Sequence, residues 1–574
     1  MNVLLLHPAD GVPPPIPGCS FDLIVDFARA PASTYDRWAS QAGCSIISLF
    51  DFAAEFDDLR QCRRLLQLGG GHLVDGQGID WWDIVGLELV PQLQRLMLVD
   101  RLAGRIESSN RLFASRPFWL FPALARRLKT QVEVLASPLQ LAGRRFREYI
   151  MTWSRLDRSQ LAQVVADKFD PYHRVRRLAQ RKKTSLGGPV ILLPTAYENV
   201  SRTAASYAAQ VADREFLLVY ARSRARLPVL PANVHAVSLD AYFHRADGHE
   251  SNCLEGRWRT LRPELVNAAA EFCQADFAGI LDGIPSRLRW ALNLASAWTE
   301  VFDSEDIAGC LCADDTNPYT RVPLLLARKR GISNLVCHHG SLDSWMMIKQ
   351  HEADHYLAKN EVERDYLVRV CGVSGDQVGS MPLSPVRSNS PQRSRMRPSS
   401  LVFFTEPYAN AFWRSDDIYR DLLPGLHSVA RECGLKLAFK LHPFDSVKGF
   451  GRILRRYLSA HTGEIEIIGG PSSEKFWENI RVAVTVQSST ALECAARGIP
   501  VFLCAWLRDP YSGYVRQFAR FDVGRVLQSP EELGQIRQRL EGRVTDRQVP
   551  DEKKKSEQFE AAVAGDSRSV ARHA

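Results

Sequence analysis

Between residues 398 and 545, short apolar runs alternate with longer helical stretches, and this rhythm is what most limits the fold. Leu401–Phe404 is an apolar run that ends in Thr405-Glu406-Pro407. A helical stretch from Asp416 to Cys433 follows, closed by Gly434. Lys436–Leu441 reads as the next strand and stops at His442-Pro443. Ile465–Ile468, Val482–Val486 and Val501–Cys504 continue the series, with helical segments between them. Strands separated by helices predict βαβ units, because parallel strands need a long crossover, and the resulting sheet is covered on both faces.

Residues 186–384 repeat the pattern. Val190–Leu193, Glu215–Tyr220, Ile307–Cys312, Asn334–Cys337 and His355–Ala358 read as strands. Ser201–Val211 and Tyr319–Lys329 read as helices, the second capped by Gly331, and a long helical region is predicted from Pro263 to Phe302. The fold class is therefore α/β, with two Rossmann-like domains and a ligand cleft expected between them. Ser384–Ser400, rich in Ser, Pro and Arg, has little to bury. A linker at 385–400 thus divides an N-terminal half, 1–384, from a C-terminal domain, 401–545, and 546–574 reads as a flexible tail. Within the first 145 residues, Val3–Leu6, Leu23–Phe27 and Ser45–Phe50 look like strands, and Phe118–Lys129 and Arg144–Trp153 look helical. This part either completes the first Rossmann-like domain or forms a separate module.

A chain of 574 residues that is 45% apolar and 24% charged can build such cores. Its net charge of +8 suits an anionic partner without choosing among nucleotide, phospholipid, lipid-linked phosphate and nucleic acid. Several of the 12 cysteines, Cys337, Cys494 and Cys504 among them, sit in apolar strand-like runs, as reduced thiols of a cytoplasmic protein do. Cys310 and Cys312 with His338 and His339 lack the spacing of a zinc site, so buried thiols are expected and no metal. Asn2–Leu6 is too short for a signal peptide, and no run approaches a membrane span.

Two turns carry the chemistry of the C-terminal domain. In Val482–Cys504 a strand runs into Gln487-Ser488-Ser489-Thr490, followed by a helix that ends at Gly498. Hydroxyls and free amides at a strand–helix turn can cradle phosphate. The simpler alternative is an ordinary N-cap, with Glu493 closing a capping box. In Lys436–Pro443, His442 emerges at a strand end where it can donate to a phosphate oxygen, and Lys440 adds charge. Alone, such a histidine is more often a structural hydrogen bonder. The two turns lie about one and a half βαβ units apart, which lets both reach the same ligand.

The K-L-H-P strand end together with Q-S-S-T-A-L-E-C-A-A-R-G-I-P-V resembles the C-terminal half of GT-B glycosyltransferases that build bacterial surface polysaccharides. It is most similar to enzymes using CMP-activated acidic sugars, the Kdo transferases of capsule and O-antigen and the bacterial sialyl- and polysialyltransferases. That resemblance covers about a quarter of the chain. It implies a CMP-sugar co-substrate and no other cofactor, with His442, Pro443, Ser488, Ser489 and Thr490 holding its phosphate and ribose. Glu406, Lys440, Gln487 and Glu493 join them as donor-binding candidates. Teichoic acid polymerases, which move glycerol phosphate from a CDP donor, share a similar pattern. A CDP-glycerol-type phosphotransferase is thus the main alternative, and a non-catalytic GT-B-like partner in a polysaccharide assembly complex is another.

The acceptor and the catalytic group then fall to the preceding domain. Asp314 and Asp315 follow a strand and precede a helix, where one can serve as base or nucleophile and the other as cap or solvated acid. His338 and His339 end the next strand, with Gly340 expected to allow close backbone approach, and Glu198 occupies the equivalent place on an earlier strand. Resemblance to retaining Kdo transferases implies a covalent aspartate nucleophile; the base of an inverting displacement fits the residues equally. There is no D-x-D, Walker loop, G-x-G-x-x-G or G-x-S-x-G, which favours metal-independent transfer in which Lys, His and helix dipoles neutralise the departing phosphate. Arg174–Lys183 holds six basic residues in ten. It reads as a solvated helix face or as a patch docking on an anionic membrane, where each basic residue contributes about 1 kcal/mol. That patch would suit a glycan or lipid-linked glycan acceptor at the inner membrane face; no motif supports nucleic acid.

Overall fold

The computed structural model describes residues 1–11, 20–106, 110–136, 188–211, 213–221, 229–242, 248–275, 277–340, 342, 345–380, 398–408, 413–443, 445–458, 463–508 and 514–542. The basic run Arg174–Lys183, the helix expected at Arg144–Trp153, nearly all of the linker and the tail from 546 lie outside the described residues.

Three parallel sheets account for the strands. The first holds β1 (Asn2–Leu6), β2 (Leu23–Asp26), β3 (Ser45–Ser48), β4 (Arg111–Ala114) and β5 (Val132–Val134), in the order β3-β2-β1-β4-β5. The second holds β6 (Val190–Thr195), β7 (Phe216–Tyr220), β8 (Val234–Ser238), β9 (Ile307–Cys312), β10 (Asn334–Cys337), β11 (His355–Ala358) and β12 (Val378–Ser380), in the order β8-β7-β6-β9-β10-β11-β12. The third holds β13 (Ser400–Phe404), β14 (Lys436–Lys440), β15 (Glu466–Ile468), β16 (Ile480–Thr485), β17 (Val501–Cys504) and β18 (Arg525–Leu527), in the order β15-β14-β13-β16-β17-β18. Each sheet begins in the middle, builds outward to one side, then returns and builds to the other. The chain therefore reverses direction across the sheet at β1/β4, β6/β9 and β13/β16. Such reversal points open a crevice beyond the carboxyl ends of the strands, where α/β folds bind ligands.

The α/β class and the two Rossmann-like domains expected from the sequence are thus present, with a third parallel sheet in addition. Two compact units interleave along the chain. Met1–Glu55 clusters with the third sheet, and so does the part beginning at Arg95, while Phe56–Gln94 clusters with the second sheet.

In the first unit a buried ion pair ties the N-terminal sheet to the C-terminal one. Arg414 donates to both carboxylate oxygens of Asp26, at 2.8 and 2.6 Å, and its backbone N–H donates to the carbonyl of Arg29. The Arg29 guanidinium lies 4.2 Å from the Trp413 ring centroid. No periodic pattern in the sequence reports these pairings.

Local reasons for the elements are legible. In the helix Ser415–Glu432, Ile418, Leu422, Leu426 and Val429 recur on one face and are buried in the core with Leu401, Phe403 and Phe439. Each such side chain contributes about 1.5–3 kcal/mol of burial. Gly434, at φ +64°, ends the helix in the left-handed region. One expectation fails: the region from Pro263 to Phe302 is not one helix. It divides into Gly248–Ala270, Phe277–Leu281 and Ile284–Ser304, the last opening on Pro285 in its first turn, a place proline fits because the amide there needs no partner.

Candidate functional site

In the third sheet, the carboxyl ends of three adjacent strands are bonded into one platform. Thr405 and Glu406 follow β13 directly. The Thr405 hydroxyl accepts the His442 N–H at 2.8 Å and donates to Asp445 Oδ2 at 2.6 Å, which fixes the turn after β14. Glu406 Oε1 accepts the Gln487 N–H at 2.7 Å and the Thr485 hydroxyl at 3.1 Å, which fixes the turn after β16. Thr405-Glu406 therefore joins the His-Pro turn on one side to the Gln-Ser-Ser-Thr turn on the other, across the β13/β16 reversal point. Burial pushes the Glu406 pKa up to about 7, against the opposing pull of those amide and hydroxyl donors.

The other donor-side candidates are distributed around this platform. Thr490 Oγ1 donates to Ser488 Oγ at 2.7 Å. Ser489 stands at the N-cap of Thr490–Ala496 with no side-chain capping bond. His442 and Gln487 are half-buried, while Pro443 and Glu493 are exposed. Lys440 is buried, and its ammonium donates to the Gly470 carbonyl beyond β15.

The second sheet divides its candidate residues into two groups. Asp315 is wholly buried between Lys349 and His338, forming an ion pair with Lys349 and lying 3.4 Å from His338 Nε2. Burial alone would raise its pKa, but Lys349 and His338 hold it well below the usual carboxylate range. The other nitrogen of His338 lies 3.5 Å from Glu363, also wholly buried. Burial disfavours an imidazolium there, yet the bonds to Asp315 and Glu363 prevail and raise the His338 pKa. Lys359 donates to the carbonyls of His338 at 2.6 Å and Gly340 at 3.0 Å, clamping the His-His-Gly turn. A Cβ at Gly340 would meet nothing within 4 Å, so Lys359, not the absence of a side chain, shapes that turn.

The second group lies at the β6/β9 reversal point. Tyr197, at the end of β6, donates its hydroxyl to Asp314 Oδ2 at 2.6 Å and lies 3.3 Å from His339 Nε2. His339 Nδ1 is 3.2 Å from the Ala313 carbonyl, which selects the tautomer with the proton on Nδ1 and the lone pair on Nε2. Burial lowers the His339 pKa, so the ring is neutral at neutral pH. Glu198 opens the helix Glu198–Ala208, one residue past Tyr197; it is Tyr197 that reaches Asp314. A cavity of about 590 Å³ opens here, with Asp314, Tyr197 and Thr316 on its wall. Asp314 lines this cavity, its Oδ1 accepting the Thr316 N–H at 3.0 Å and the Thr316 hydroxyl at 2.7 Å, whereas Asp315 and His338 belong to a closed ion network.

Sequence reasoning missed Tyr197, Thr405, Lys349, Lys359 and Glu363. Tyr197 and Thr405 carried a usable signal, being the first polar residues after strands; the partners of Asp315 did not, since they come from separate elements. No group of His, Cys, Asp and Glu suited to a metal ion occurs among the described residues, where Cys310, Cys312, Cys337, Cys494 and Cys504 are buried free thiols.

No protein-family model matches this chain, and no curated protein matches it. Among solved structures it is similar to the UDP-GlcNAc 2-epimerase of Methanocaldococcus jannaschii, with 11% identity, a TM-score of 0.37 and coverage of 60% of this chain and 90% of that one. It is also similar to the wall teichoic acid polymerase TagF, at 10% identity and TM-score 0.35, over 74% of this chain and 91% of that one. A third similar structure is TcCGT1 in complex with UDP, at 12% identity and TM-score 0.37, over 66% and 94%. No helix among the described residues is long and apolar enough to cross a membrane.

Proposed function

We propose that the chain is a GT-B glycosyltransferase that moves a sugar from a CMP-activated donor to a glycan acceptor. The observation that carries this reading is the Thr405-Glu406 platform, which gathers the His442-Pro443 and Gln487–Thr490 turns at one reversal point of a parallel sheet. Those are the two motifs whose resemblance pointed to CMP-sugar transferases. The third sheet takes the nucleotide, with Ser488, Ser489, Thr490 and His442 directed to its phosphate and ribose. Kdo or a related acidic sugar is the donor group, and a growing surface glycan, presented at the inner membrane face, is the acceptor.

The second sheet supplies the base. An acceptor hydroxyl gives its proton to Asp314 while its oxygen bonds to the anomeric carbon; the bond from that carbon to the phosphate oxygen breaks, and CMP departs with the electron pair. Tyr197 orients the Asp314 carboxylate through the 2.6 Å hydroxyl bond. No metal is assigned a role.

Thermal stabilisation by CMP, CDP, UMP and UDP tests the donor. Cytidine nucleotides are expected to stabilise the protein, and His442→Ala to lose that effect with its own melting midpoint unchanged. Stabilisation by uridine nucleotides alone would overturn the donor assignment. Stabilisation by CDP-glycerol and not by CMP-sugars would favour the phosphotransferase.

A further inference from the structure

The 590 Å³ cavity at the β6/β9 reversal point has a lining that the base alone does not explain. Its size falls within the range of about 300–1,000 Å³ usual for small-molecule sites. Trp290, on the helix Ile284–Ser304, lines it and is 38% exposed. Tyr319 meets the Trp290 ring edge-on, with centroids 5.3 Å apart at 83°. That contact fixes the indole as a flat apolar platform at the mouth of a polar cavity.

Opposite chemistry sits beside the platform. Arg287 Nε lies 3.8 Å from Glu88 Oε2, and Arg287 Nη1 is buried with no hydrogen-bond partner among the described residues. A buried guanidinium nitrogen left without an acceptor is costly, and a ligand oxygen removes the cost. Burial raises the Glu88 pKa against the pull of Arg287, so that carboxyl too gains from a hydroxyl donor. Asp314 and Asn317 complete the polar wall.

A pyranose matches this set. Its C–H face packs against an aromatic ring, and its hydroxyls both donate to carboxylates and accept from guanidinium. The lining decides its kind: the carboxyl groups of Glu88 and Asp314 outnumber the single guanidinium of Arg287, so an acidic sugar would bring a third carboxyl group into the site. We propose that this cavity binds a neutral pyranose, its apolar face on Trp290 and its hydroxyls on the Arg287–Glu88 pair. Identifying that sugar as the end of the acceptor glycan rests on the transferase reading above; the sugar site itself does not.

Saturation-transfer NMR on the full chain tests it, with methyl glucopyranoside and N-acetylglucosamine as neutral probes and methyl glucuronide and sialic acid as acidic ones. Transfer to the C–H protons of the neutral probes is expected, at least tenfold above the acidic ones. Trp290→Ala should reduce it at least tenfold. Arg287→Met, which keeps the side chain's bulk, should do the same while far-ultraviolet circular dichroism and the melting midpoint stay unchanged. Absence of transfer to the wild-type protein, equal transfer to Trp290→Ala, or preference for the acidic probes would each overturn the proposal. Cytidine nucleotide binding on the same samples separates the two readings. Sugar binding without CMP binding sinks the transferase and leaves the cavity site standing; CMP binding without sugar binding does the reverse.

Discussion

Replacing Glu406 by glutamine should make the protein more stable at alkaline pH and leave it nearly unchanged at pH 5. The carboxyl sits at the β13/β16 reversal point, and burial carries its pKa from 4.5 to about 7. The native fold therefore binds this proton more tightly than the unfolded chain does. The stability that the neutral form provides is complete below about pH 4.5 and is lost as pH rises through about 7. At roughly 1.4 kcal/mol per pH unit, the ionised carboxylate destabilises the fold by about 3 kcal/mol above pH 8. The two bonds from Gln487 and Thr485 both end on Oε1, so the glutamine oxygen can keep them while nothing titrates. Melting midpoints of wild type and Glu406→Gln, measured from pH 5 to 8.5, should diverge through pH 6–7. Above pH 8 the variant should be ahead by on the order of 5–10 °C for a unit of this size. A difference that is constant with pH, or a variant less stable above pH 8, would refute the assignment of the titration to burial of Glu406.

The adjacent aspartates should fail in different ways. Asp315→Asn leaves Lys349 buried without its counter-charge and should cost about 3–5 kcal/mol in urea unfolding, whereas Asp314→Asn, which gives up one of two acceptor oxygens used by Tyr197 and Thr316, should cost about 1–3 kcal/mol and lose turnover. If Asp314→Asn keeps wild-type turnover, Asp314 is not the base. Tyr197→Phe removes the hydroxyl between Asp314 and His339. It should lower kcat about 10–100-fold with CMP binding intact; an unchanged kcat would limit Tyr197 to packing. Arg414→Met leaves Asp26 buried without its ion pair and should destabilise the first unit by about 3–5 kcal/mol, read as earlier exposure of the 1–55 segment in hydrogen exchange.

Much of this protein is local in its physics, and that part was open to sequence reading. Strands such as Ser400–Phe404 and Ile307–Cys312, and helices such as Ser415–Glu432, follow from apolar periodicity and from glycines that end the turns. Because both motif turns follow strands of a parallel sheet, their place at its carboxyl edge was also implied. The sequence left open how strands order themselves and which charges meet. The short strands Arg111–Ala114, Val132–Val134 and Val234–Ser238 carry weak patterns and depend on neighbours for their pairing. Whether Asp314 or Asp315 faces a ligand could not be read from two adjacent acids after a strand. Lys349 and His338, the latter backed by Glu363, are brought from other parts of the chain to enclose Asp315 and leave Asp314 on the cavity wall. Periodicity fixes which side of an element is buried, but a buried charge is settled only by the partner that long-range folding places against it.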